Sequence, residues 1–202
     1  FYNQMMIVGL TGGIGSGKTT VLSLFEKKEN VVTYIADAKA KWLMQNVTEV
    51  KNKLIQAFGQ KSYIDNTLNK EYLSQIVFHN PKKLKELNSI VHPAVKKDFE
   101  DFAALNQDKI IIYEAAILFE HNSENRFDFI ISVSANKNDR VKRVMKRDNT
   151  EKERVLSRIK NQQSDTQRNL QSHYVIFNNS LEELQSKVDK IHNILTKKAD
   201  SV

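Results

Sequence analysis

Residues 9–20 read GLTGGIGSGKTT and hold five of the chain's six glycines. Gly12, Gly17, Lys18 and Thr19 fall at the spacing G-x-x-x-x-G-K-[ST]. At that spacing glycines let backbone N–H groups turn inward around a phosphate seated on a helix N-terminus. The lysine ammonium then reaches the β and γ phosphates, and the threonine hydroxyl ligates Mg²⁺. Gly13, Gly15, Ser16, Gly17, Lys18, Thr19 and Thr20 are therefore expected around the phosphates of a nucleotide, with Mg²⁺ as cofactor on Thr19. Three more polar residues stand at or just past the ends of apolar runs. Asp37 follows VVTYI (31–35), Glu114 ends KIIIYE (109–114), and Asn178 follows YVIF (174–177). A carboxylate at Asp37 could accept a hydroxyl proton, or could cap the helix that opens AKAKWLMQ. Glu114 could orient Mg²⁺ through water or be only a polar strand end. Asn178 could contact adenine or form a turn.

These residues need a frame. MMIVGL is a short apolar run, and TVLSLFEKK carries apolar residues at helical spacing, so strand, glycine loop and helix follow in order. Further Val- and Ile-rich runs at 31–35, 109–114, 127–133 and 174–177 alternate with helical segments, which predicts a parallel five-stranded sheet with helices on both faces, a P-loop NTPase fold. Ligands of such sheets bind beyond the carboxyl ends of the strands, where Asp37, Glu114 and Asn178 stand. One domain is expected over 5–202, with a core of 5–46 and 107–202. Residues 47–106 are too long for a simple crossover and read as a helical insertion. His92 precedes Pro93, which disfavours helical geometry there and predicts a break. The polar stretch from Asn138 to Asn169 reads as basic helices outside the core. Arg143 and Arg147 lie four apart and share a helix face, most simply a solvated stripe. NKND at 136–139 imitates a guanine-reading motif, but no D-x-x-G can be formed, because Gln56 stands three residues before Gly59, the only later glycine. Asn138 is instead expected to cap a helix from Asp139.

Composition narrows the class. A formal charge of +7 implies anionic partners without choosing among nucleic acid, membrane surface and phosphorylated small molecules. No apolar run spans a bilayer and no secretion signal is legible, so a cytoplasmic protein without membrane partners is expected. The absence of cysteine removes thiolate chemistry. A nucleic-acid-binding ATPase would show a basic stripe interleaved with aromatics, and aromatics make up 8% of this chain. No nucleic-acid partner is expected, and a monomer is favoured.

MIVGLTGGIGSGKTT, Asp37 within YIADAKAK, LNKEYLSQIVFHNPKKLKELNSIVHP, EAAILFE, RVMKRD and YVIFNN together resemble the dephospho-CoA kinase family, in order and spacing, from Met6 to about Ile194. The resemblance implies transfer of the ATP γ-phosphoryl to the ribose 3′-hydroxyl of dephospho-CoA, with the insertion binding the acceptor and a helical lid over about 148–172. It implies Asp37, Lys18 and Arg147 as catalytic residues and Arg143 and Asn178 as ATP contacts. His92, Lys70, Arg158 and Gln162 become acceptor contacts beside Asp37, and Glu114 holds Mg²⁺ through water. Four positions depart from the family pattern: Ile35 replaces an acid, Lys70 an arginine, Ala116 a proline and His173 an aspartate. The residues alone leave another nucleoside or nucleotide kinase open.

Overall fold

The computed structural model describes residues 5–78, 80–116, 118 and 126–200, so of ILFE only Leu118 falls among the described residues. In chain order the first elements are β1 (Met6–Gly12), α1 (Lys18–Phe25), β2 (Val31–Ile35), α2 (Ala36–Asn46) and α3 (Thr48–Phe58). Next come β3 (Tyr63–Ile64), β4 (Thr67–Leu68), α4 (Lys70–Phe78), α5 (Pro81–Ala104), β5 (Ile110–Glu114) and β6 (Phe129–Ser134). The chain closes with α6 (Lys137–Asp148), α7 (Lys152–Lys160), α8 (Asp165–Leu170), β7 (Tyr174–Phe177) and α9 (Leu181–Ala199). The described residues fall into two compact units, Ile35–Leu105 forming one and the chain before and after it the other.

The first unit is built on a five-stranded parallel sheet in the order β2-β5-β1-β6-β7, with helices on both faces. β1 is central, which explains its nearly unbroken apolar character: Val8 and Leu10 are both fully buried. Its register sets Leu10 beside Glu114 of β5, and Gly12 beside Val133 of β6. The chain therefore leaves β1 between the carboxyl ends of its two neighbours. Val21, Leu22, Leu24 and Phe25 of α1, with Leu184, Val188, Ile191 and Leu195 of α9, close one core over the strands. Leu195→Ala should cost about 2–5 kcal/mol, because a fully buried leucine loses both transfer energy and packing. Urea unfolding checks this: the midpoint should fall while the slope stays unchanged.

The second unit is mostly helical. Val50, Leu54 and Phe58 repeat every four residues on α3 and pack with Tyr63, Leu68 and Leu73. β3 and β4 form a hairpin turned by Asp65 and Asn66, whose φ values of 46° and 68° suit short polar residues in a tight two-residue turn. The Tyr63 hydroxyl donates to the Met44 carbonyl at 2.5 Å, and burial pushes its pKa up to about 12. Here the two-unit division departs from the expected insertion at residue 47. α2, expected in the core, packs instead on α3 and α5.

Four local expectations are corrected. α5 runs unbroken through His92 and Pro93. Pro93 lacks an N–H for the preceding turn, yet packing of α5 on α2, α3 and α4, with Val91 and Val95 buried, holds the helix. α6 begins at Lys137, and its cap is Asn136, whose side chain accepts from Asn138 N–H, so Asn138 does not cap. Ile35 occupies the cap position of α2 and makes no side-chain bond, so Asp37 is a first-turn residue and not the cap. The basic stretch is not all surface: Arg140 and Arg168 are each 2% exposed.

Candidate active site

The loop between β1 and α1 is shaped by two demands. Gly17 takes φ of 98°, which side chains disfavour, and a Cβ there would lie 2.1 Å from Asn178 Nδ2. The loop can thus close onto the end of β7, where Asn178 Nδ2 donates to Ser16 C=O at 2.8 Å. α1 then starts at Lys18 with no side-chain cap, so its first N–H groups donate to no capping side chain. The Lys18 ammonium donates to Gly12 C=O at 2.9 Å and lies 3.9 Å from Glu114 Oε1. Ser16 Oγ is buried and has no hydrogen-bond partner among the described residues.

A cavity of about 420 Å³ opens above this loop. It brings together Gly13, Gly15, Ser16, Gly17, Lys18 and Thr19 with Arg143, Arg147 and Gln162. Arg143 and Arg147 do share one face of α6, and that face lines the cavity while both residues stay exposed to solvent. Three cations and an uncapped helix start around one cavity suit it to a polyanion. Thr20 is exposed and does not line it. Asn178 reaches the loop backbone, and Glu114 reaches the site through Lys18.

Arg158 lies outside this cavity. Its guanidinium donates to Asp148 Oδ2 at 2.7 Å, and Arg147 Nε donates to Asp148 Oδ1 at 2.7 Å. These two arginines hold the Asp148 carboxyl down at about 2. A depressed carboxyl pKa means that the bridge is fully formed at neutral pH and is lost only as the pH falls through about 2. Asp148 went unassigned in the sequence reading, although RVMKRD contains it, because a carboxylate between arginines reads as an ordinary surface pair. Ile14, Ala116 and Val144 also line the cavity without having been singled out as contacts.

The remaining expected residues belong to the second unit. Asp37 is exposed in the first turn of α2, immediately past β2. Lys70 is exposed at the start of α4, and His92 is exposed midway along α5.

A central strand, a glycine loop closed on a lysine, and a helix start, set in this strand order, define a P-loop NTPase fold. Residues 6–183 match the family described as dephospho-CoA kinase. The chain is 37% identical to a dephospho-CoA kinase of Salinibacter ruber over 95% of its own length and 98% of that protein's. It is similar to the crystal structure of TT1252 from Thermus thermophilus, with a TM-score of 0.86 and 28% identity over 95% of this chain and 97% of that one. The fold also matches a dephospho-CoA kinase from Campylobacter jejuni, with a TM-score of 0.71 and 22% identity over 96% of this chain and 98% of that one. This chain belongs to the dephospho-CoA kinase family.

Proposed function

We propose that the chain transfers the γ-phosphoryl of ATP to the ribose 3′-hydroxyl of dephospho-CoA, the last step of coenzyme A biosynthesis. The observation that carries the reading is the cationic cavity over residues 13–19 in a chain whose family match spans 6–183. Phosphoryl transfer asks little covalent chemistry of a protein and much positioning and charge neutralisation. Lys18, Arg143 and the loop N–H groups hold the ATP phosphates. Arg147 stabilises charge that spreads over the phosphoryl as it moves. Asp37 accepts the proton of the attacking hydroxyl; its support is its residue type, its place just past β2 and the family pattern. Lys70, His92, Arg158 and Gln162 are assigned to the acceptor on the family pattern alone. For Gln162 the structure favours a place at the loop, where its Oε1 accepts from Ile14 N–H at 2.9 Å.

Among the described residues no group of three or more His, Cys, Asp or Glu could cage a metal ion. The Thr19 hydroxyl on the cavity wall and the nearby Glu114 carboxylate fit Mg²⁺ that arrives with the nucleotide and keeps several waters. Bound there, Mg²⁺ would supply charge neutralisation to the phosphates. Orphaned Ser16 Oγ fits a loop whose polar inventory is completed by a phosphorylated ligand.

ATP consumption across dephospho-CoA, adenosine, nucleoside monophosphates and single-stranded DNA tests the assignment. Turnover should require dephospho-CoA, and stimulation by another acceptor alone would overturn it. Arg147→Gln should lower the transfer rate by about a hundredfold while ATP affinity falls far less, because its contact strengthens in the transition state. Equal losses in rate and affinity would make Arg147 a static ATP contact.

A further inference from the structure

Ile14, at the crest of the loop, is held at both backbone groups by side chains that arrive from beyond residue 135. Its N–H donates to Gln162 Oε1 at 2.9 Å, and its C=O accepts from Arg140 Nε at 2.8 Å. Its side chain packs with Val141, Val144 and Val155. The Arg140 guanidinium lies against the loop so closely that a Cβ on Gly13 would stand 2.2 Å from one of its nitrogens. The same guanidinium donates to Asp165, whose other oxygen accepts from Arg168 at 2.6 Å. Arg168 also donates to Gln163 C=O at 2.6 Å. α8, which carries Asp165 and Arg168, is fixed on the sheet by Asn169 Oδ1, which accepts from Ser132 at 2.9 Å and Ser134 at 3.0 Å.

Two buried arginines share one partly exposed carboxylate and leave a net positive charge, and burying two guanidinium groups costs desolvation that apolar side chains would avoid if only stability mattered. What the planar guanidinium supplies is geometry: one rigid fork addresses the Ile14 carbonyl and Asp165 together. We infer that Arg140, braced by Asp165 and Arg168, is a positioning residue that with Gln162 clamps Ile14 and sets the phosphate-binding conformation of the loop. The inference rests on the reading of that loop as the ATP site. Arg140 acts from the outer side of the loop and through it, so it supports nucleotide in ground and transition states alike. Its loss therefore appears in affinity more than in kcat.

The test is calorimetric titration of ATP into the full chain, with kcat and Tm measured on the same samples. Arg140→Gln should bind ATP about tenfold more weakly with kcat within about threefold of wild type. Arg140→Lys keeps a charge beside Asp165 but loses the fixed spacing of the two guanidinium nitrogens that address Asp165 and Ile14 C=O, so Tm should recover while affinity stays low. Gln162→Ala leaves the buried cluster intact and should also weaken ATP binding, which keeps the test open if Arg140→Gln does not fold. Folded variants that bind ATP as wild type does, with only a lower Tm, would show a purely structural cluster and overturn the clamp. Full affinity in Arg140→Lys would overturn the fork argument. A wild-type chain that fails to bind ATP would instead overturn the underlying site.

Discussion

Lys18→Ala should abolish measurable phosphoryl transfer, a loss of at least about a hundredfold, while the protein remains folded. Lys18 sits on the wall of the loop cavity, with Gly12 C=O and Glu114 as its neighbours at 2.9 and 3.9 Å. Both contacts lie at strand ends bordering the loop, and deleting one such hydrogen bond costs about 1 kcal/mol, or about 2–4 °C in Tm for a chain of this size. The ammonium matters where negative charge gathers between the β and γ phosphates. Initial rates with saturating ATP, alongside a thermal scan, check the split. Turnover near wild type would remove Lys18 from the mechanism, and a large fall in Tm would make it structural.

Asp37→Asn separates a proton acceptor from a structural carboxylate. Asn keeps the shape and an accepting oxygen but no longer takes a proton, so single-turnover transfer should fall by about a hundredfold or more at unchanged ATP affinity. The structure sharpens this expectation, because Ile35 and not Asp37 occupies the cap position of α2. Asp37 contributes to the helix only a charge in the first turn, worth about 0.3–1 kcal/mol at an exposed site. A Tm lowered by no more than about 4 °C therefore accompanies the lost rate. Full activity in Asp37→Asn would exclude the base. A larger drop in Tm would assign Asp37 a structural role that its position does not explain.

The strand, loop and helix around residues 6–25 were legible because each signal there is local: an apolar run, a fixed glycine spacing and a helical period. The other four strands of the parallel sheet were legible as Val- and Ile-rich runs, within a residue or two at their ends, whereas the two-residue strands β3 and β4 fell inside a stretch read as helical. Pro93 misled because the rule against helix before proline acts through neighbours in sequence, whereas α5 is held by packing from three other helices. Helix caps shifted by two positions at Asn138 and at Asp37: at Asn138 nearby polar residues compete for one geometric role, whereas at Asp37 the helix starts earlier, with the apolar Ile35 at the cap position. The Arg140, Asp165 and Arg168 cluster was hidden for a different reason. Charged residues in a basic segment read as solvated, and nothing in their spacing reveals that residues 25 apart share an ion pair whose arginine is buried. Gln162 was found through the family pattern, but its bond to Ile14 N–H is a fact of the folded loop.

The most direct test of the central claim follows the labelled γ-phosphoryl of ATP in a single turnover with excess enzyme and dephospho-CoA, and locates it in the product. The account predicts that label appears on the ribose 3′-oxygen of coenzyme A, at a rate lost in Lys18→Ala and Asp37→Asn. Label released only as inorganic phosphate, or transferred to a nucleoside monophosphate while dephospho-CoA stays unmodified, would contradict it.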